Sequence, residues 1–224
     1  MSYTFQFVFV WRELDHLLLG AWLTVKLAAS ATLLGLVVGI ACARAKTSRS
    51  GLLRGLVDVY VEAIRNTPFL MQLLLIYLGL PSLGIRLNPN QAALLAMVVN
   101  VGAYATEIVR AGIEAVPQTQ IEAGRSLGLS PWQTFRFVVL IPALRAVFPA
   151  LGSQFILMML ASSVVSVISA EELTAVTDAI VARNFRSFEF YLVTTGIYLA
   201  MSFAFQAVFA AIDRLLFARW SGHA

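Results

Sequence analysis

Charge is scarce in this chain. Only 12% of its 224 residues are Asp, Glu, Lys or Arg, and 59% are hydrophobic; a soluble domain carries about 25% charged residues. A water-soluble fold of this length has no way to hide so much apolar surface, which leaves an integral membrane protein. The single cysteine, Cys42, excludes an intrachain disulfide and reads as a small packing residue in an apolar run. The two histidines, His16 and His223, stand at opposite ends and exclude a His-based metal site. The chain has no G-x-x-x-x-G-K-[ST] loop, hence no Walker-type ATP site of its own, and it has no HExxH, cysteine cluster or G-x-S-x-G. The start, MSYTFQFVFVWRELD, lacks the basic n-region of a signal peptide. No internal repeat is visible, which argues against an inverted-repeat carrier.

What is present is a series of long apolar runs. Residues 3–10 are too short to cross a bilayer and suit the interface, where Tyr3, Trp11 and the phenylalanines are at home. Five spans follow: Leu17–Ala43, Leu56–Gly79, Asn90–Thr106 continuing as helix through Arg110, Ala146–Ala170 and Phe190–Ile212. Gly35 and Gly39 form a small-xxx-small pair that lets another helix approach the first span. Pro68 interrupts the second span, and Pro117 closes the third. Residues 171–189 read as a polar loop. The expected fold is all-α, a single membrane domain over residues 1–224.

Basic residues orient the spans. One side holds Arg44, Lys46, Arg49, Arg54, Arg110, Arg125, Arg136, Arg145, Arg214 and Arg219; the other holds Arg12, Arg86, Arg183 and Arg186. The richer side is cytoplasmic by the positive-inside rule, so the N-terminus lies outside and the C-terminus inside. The net charge of +4 is thereby assigned to lipid-facing loops, not to nucleic acid.

Polar groups inside the spans are the candidate path. Arg65 lies roughly 13 Å into the second span if that span is helical, at a cost of about 3 kcal/mol unless paired or wet. Glu62, three residues earlier, can pair with it. Gln72, Asn100, Gln154, Ser162, Ser163 and Ser166 are uncharged; each can line a path for a zwitterion or simply hydrogen-bond helix to helix. Lys26 can snorkel outward from the first span.

Between the third and fourth spans lies a mildly polar stretch, residues 117–145. Thr119 and Glu122 have capping-box spacing. Gly128 breaks that helix, Ser130, Pro131 and Gln133 then read as N-cap, N1 and N3 of a second one, and Pro142 interrupts or ends it. Helix–Gly–helix outside the membrane is a docking element, with Gly128 its most sensitive position and Leu127 and Leu129 as exposed apolar candidates.

The order Glu122-Ala123-Gly124, Gly128 four residues on, then an apolar stretch to Leu140 resembles the EAA loop of the membrane subunits of ABC importers. Gly124 stands where that pattern has a third small residue, and Pro142 comes one residue late, behind Ile141. Glu107 to Gly112, Ala143 to Arg145 and Glu62 to Leu70 are similar to the amino-acid branch, histidine and glutamine permeases among them. The resemblance implies a type I importer fold with a cytoplasmic coupling helix in the bacterial inner membrane. It implies two ATP-binding subunits that hold ATP and Mg, a second permease chain, identical or different, and an extracytoplasmic solute-binding protein docking on the outer loops, residues 80–90 and 171–189. It implies a polar amino acid as cargo, no cofactor on this chain, and an ATPase contact by Glu122, Ala123, Gly124, Leu127, Gly128 and Leu129. An ion-coupled amino-acid carrier and an importer subunit for an opine or similar derivative are the alternatives.

Overall fold

The computed structural model describes residues 4–217; Tyr3, Arg219, His223 and the end of the basic tail lie outside them. Every regular element among the described residues is helical: α1 Val8–Arg12, α2 Leu14–Lys46, α3 Gly51–Arg65, α4 Phe69–Leu74, α5 Pro89–Glu114, α6 Gln118–Ser126, α7 Pro131–Thr134, α8 Leu140–Ala161, α9 Leu173–Asn184 and α10 Ser187–Phe217. A π-turn, Phe135–Val139, and a 3-10 stretch, Ser162–Ile168, join onto α7 and α8 to make one apolar helix from Pro131 to Ile168. Four helices are long and apolar enough to cross a membrane, or five if the bent pair α3–α4 is one span.

The core is the α2–α5 seam, which rests on glycine. A Cβ added to Gly35 would lie 2.6 Å from Val101 Cβ, and one added to Gly39 would lie 2.5 Å from Ala105 Cβ. The backbones therefore approach more closely than side chains on both helices would permit. Such close approach substitutes dispersion contacts for the hydrophobic drive that lipid does not supply. Ala28, Ala31, Ala92, Ala93, Ala96 and Met97 continue the packing, and Leu73, Phe155, Met159 and Val165 close it. On the far side of α8, Phe155 meets Phe205 of α10 at 4.8 Å between ring centroids.

Pro68 interrupts the second span as its place in the sequence implies: α3 and the helix continuing from α4 meet at 111°. Pro68 has no N–H for Ile64 O, and the chain turns there. Other expectations need correction. The fourth span begins at Pro131, not at residue 146, so the docking segment runs into it without a loop. Residues 171–189 are not an open loop. Glu172 caps α9 by accepting from Ala175 N at 2.7 Å, and Leu173, Thr177 and Ile180 bury one face of it. Finally, α2 has 33 residues, about 50 Å at 1.5 Å per residue, well beyond a hydrocarbon core of about 30 Å. Lys26 lines a cleft with Asn88, Asn90 and Glu171, at the end of the bundle where α5 and α9 begin. From Lys26 to Lys46, α2 rises about 30 Å.

Candidate docking segment and translocation path

The segment from Gln118 to Val139 is two short helices folded on each other. α6 ends in a Schellman turn: Gly128 N–H donates to Arg125 O at 2.9 Å and Leu129 N–H to Gly124 O at 3.2 Å. Gly128 has φ +80 with nothing within 4 Å of where a Cβ would stand, so glycine is there for the backbone and not for lack of room. Ser130 then opens α7 with a complete capping box, Ser130 and Gln133 each bonding the other's backbone N–H.

The segment has an inner and an outer face. Ile121 packs on Val116, Val139 and Ala143. A Cβ on Gly124 would lie 3.2 Å from Val138 Cγ2 and 3.5 Å from Leu129 Cδ1, so a small residue is required and Leu129 turns inward to meet it. This corrects the pairing of Leu129 with Leu127 as exposed. Leu127 is 82% exposed, alongside exposed Glu122, Ala123, Arg125 and Ser126. The expected capping box of Thr119 and Glu122 does not form. Pro117 is the N-cap and makes no side-chain bond; it starts the helix two residues earlier than the Thr119 reading, leaving Glu122 in the body of α6. Pro142 neither breaks nor ends the second helix. It falls in the first turn of α8, and the π-turn before it, closed by Leu140 N–H to Phe135 O, takes up the irregularity.

Inside the membrane, Gln72 and Asn100 meet. Both are 6% exposed, and Asn100 Nδ2 donates to Gln72 Oε1 at 2.9 Å. Gln72 Nε2 donates to Ile64 O at 2.8 Å, to Thr67 O at 3.1 Å and to Thr67 Oγ1 at 3.0 Å. The amide thus supplies the donor that Pro68 lacks and ties the bend to α5. The 3-10 stretch carrying the serines packs against α4 and α5. Its hydroxyls are spent on their own helix: Ser162 donates to Met159 O, Ser163 to Leu160 O and Ser166 to Ser163 O, at 2.7, 2.9 and 2.8 Å. Ser162 is fully buried and Ser163 and Ser166 are partly so. Gln154 is 8% exposed on α8, with no hydrogen bond among those described.

The Glu62–Arg65 pair is not made among the described ion pairs. The helix ends at Arg65, and Asn66 Nδ2 folds back onto Glu62 Oε2 at 3.0 Å. Arg65 instead lies 5.6 Å over the ring of Tyr104, a cation–π contact from the bend to α5.

The family of binding-protein-dependent transport system inner membrane components matches residues 35–218. The chain belongs to that family. The permease is 33% identical to the glutamine transport system permease protein of Escherichia coli (strain K12) over 207 residues, 92% of this chain and 94% of that one. It is 35% identical to the L-cystine transport system permease protein of Bacillus subtilis (strain 168), over 88% of this chain and 85% of that one. A solved structure described as an amino acid ABC transporter with histidines superposes with a TM-score of 0.90 at 36% identity, covering 95% of the permease and 99% of that chain. The EAA motif and the coupling helix are typical of the family, as is the absence of an ATPase site in the membrane subunit.

Two polar clusters in the permease escaped the sequence. Lys46 Nζ bridges Asp58 at 2.9 Å and Glu107 at 2.8 Å, and Glu107 also holds Arg110 at 2.8 Å. The end of α2, the middle of α3 and the C-terminal third of α5 are joined there. Only the Glu107–Arg110 spacing was visible in the chain order. At the opposite end of α2, where α9 begins, Glu172 is fully buried. It accepts from Tyr198 OH at 2.6 Å and from Thr24 Oγ1 at 3.5 Å, and Thr24 Oγ1 in turn accepts from Leu173 N at 3.0 Å. Burial pushes the Glu172 carboxyl above the ordinary range, while Tyr198 and the backbone donors pull it down. A polar dipeptide before an apolar run was the available signal, and it also fits a plain loop.

Proposed function

We propose that the permease forms half of the path for a polar amino acid and is driven by an ATPase subunit gripping α6, Gly128 and Leu127 from the cytoplasm. The observation that carries this is the two-faced docking segment. Its inner face packs on the bundle through Ile121 and Gly124, while the exposed Glu122 and Leu127 side chains make no hydrogen bond, ion pair or core contact among the described residues. The uninterrupted helix from Pro131 to Ile168 then connects the docking point to the serines, so that a displacement at one end is delivered to the path at the other. The ATP and Mg belong to that partner, and this chain binds no cofactor. The basic-residue count supports a cytoplasmic docking segment and C-terminus, with the N-terminus outside.

Two ATPase subunits, a second permease chain and an extracytoplasmic solute-binding protein complete the assembly, since one bundle encloses only one wall of a path. The outer ends support the last of these. Leu83 and Phe185 are 75% and 86% exposed, and the two outer segments are joined at their base by Glu171 N–H to Asn90 Oδ1 at 2.7 Å. A zwitterion suits the path because the polar side chains placed near it are uncharged amides and hydroxyls, which do not trap a charge.

The test is uptake of labelled glutamine and cystine by the purified assembly in proteoliposomes, with wild type against Gly128→Asp. The expected result is loss of ATP-driven uptake by at least tenfold, with the ATPase no longer retained. Unchanged uptake, or uptake that needs no ATP, would overturn the reading in favour of an ion-coupled carrier.

A further inference from the structure

A groove of about 770 Å³ runs between α2, α5 and the α7–α8 helix. Its walls are apolar, with Leu36 and Ile40 on one side and Leu144 and Val147 on the other. Polar chemistry is confined to one end, where Arg44 and Thr47 close α2 and Trp132 opens α7. From Leu36 to Thr47, α2 rises about 16 Å at 1.5 Å per residue, and Leu140 to Leu151 covers the same length opposite. That is about half of a hydrocarbon core of about 30 Å, the depth of one leaflet.

The polar end is built for an anion. Arg44 is exposed and forms no ion pair among the described residues. Its near neighbour Lys46 is committed to Asp58 and Glu107. Arg44 Nη1 donates to Thr47 Oγ1 at 2.7 Å, and that hydroxyl donates back to Arg44 O at 2.8 Å. The guanidinium is propped at the mouth with its remaining N–H groups unused. Trp132, 70% exposed, stacks on Phe135 at 5.9 Å, as an amphipathic ring does at headgroup level.

We propose that the groove binds an anionic phospholipid of the cytoplasmic leaflet, an acyl chain lying along it and the phosphate on Arg44. The cytoplasmic side rests on the topology proposed above. One polar end on an otherwise apolar trough fits an amphiphile better than a helix of a second copy, which would leave Arg44 facing apolar side chains. The bound lipid would touch both α2 and the helix that continues from the docking segment.

Native mass spectrometry of the purified assembly, titrated with phosphatidylglycerol or phosphatidylcholine, tests this. Wild type should retain phosphatidylglycerol preferentially. Arg44→Gln should weaken that retention about fivefold and leave phosphatidylcholine unchanged; Leu144→Trp, which fills the trough at an exposed position, should lose both. Equal retention of the two lipids by wild type, or unaltered phosphatidylglycerol in both variants, would overturn the proposal. So would a disulfide between two copies through Ile40→Cys in a Cys42→Ala background, which would make a second chain the occupant. Inverted insertion would move the bound lipid to the other leaflet, as read with a membrane-impermeant quencher, without abolishing binding, so the topology and the lipid site fail separately.

Discussion

The docking segment and the bend at Pro68 are both helix–break–helix, yet they are held in opposite ways. Around Gly128 the break is satisfied locally, by a Schellman turn and a capping box within a dozen residues. Around Pro68 it is satisfied from a distance, by Gln72 reaching back to Ile64 O and Asn100 reaching in from α5. Water can solvate a turn at the membrane surface, so local caps suffice there. In lipid a freed carbonyl must find a protein donor. The first break can therefore spend an exposed leucine on a partner, whereas the second has its polar atoms committed to the chain itself.

That contrast can be broken or sharpened by substitution. The largest effect belongs to Gly128→Asp. Adopting φ +80 costs a residue with a Cβ about 1–2 kcal/mol, a strain the turn can absorb while the altered surface abolishes the ATPase contact. ATP-driven uptake should fall at least tenfold with the thermal midpoint shifted by only a few degrees. Next is the α2–α5 seam, where Gly39→Val should cost about 1–3 kcal/mol by overpacking against Ala105, read as a lowered unfolding midpoint in detergent. Smaller is the amide lock. Asn100→Leu and Gln72→Leu should each cost about 1 kcal/mol, with a coupling of about 0.6–1.7 kcal/mol in a double-mutant cycle; strict additivity would mean that the lock is not a unit. Lys46→Met, at a partly exposed network, should cost under about 1 kcal/mol and less still in high salt. Ser163→Ala, which removes a bond only to its own helix, should change stability by less than about 0.5 kcal/mol.

The same contrast explains what the sequence made legible. Gly128, Ser130 and Gln133 act through neighbours within a few residues, and their roles were readable from spacing. So was the Gly35/Gly39 pair, because a small-xxx-small pattern announces a close approach even without naming α5 as the partner. Apolar length located the spans, but the join of docking segment to fourth span was hidden, since Arg136 and Pro142 look like a boundary when read in order. The Glu62–Arg65 pairing failed although both residues stand in α3: Asn66 at the turn takes Glu62 and Tyr104 of α5 takes Arg65, and i,i+3 spacing encodes neither competitor. Gln72 was recognised as polar and intramembrane; that it replaces the missing donor of Pro68 depends on a 111° turn that no local pattern encodes. Glu172 and its contacts to Thr24 and Tyr198 are separated by 148 and 26 positions, beyond any spacing argument.

The outward leucine gives the most direct test of the docking claim, because Leu127 makes no demand on the turn itself. The assembly carrying Leu127→Asp would be purified beside Leu129→Asp, and both the retained ATPase and the thermal midpoint measured. Leu127→Asp should lose the ATPase by at least tenfold with an unchanged midpoint, whereas Leu129→Asp, set against Gly124, should lower the midpoint. A Leu127→Asp assembly that keeps its ATPase and its uptake would contradict the account and place the coupling surface elsewhere on the permease.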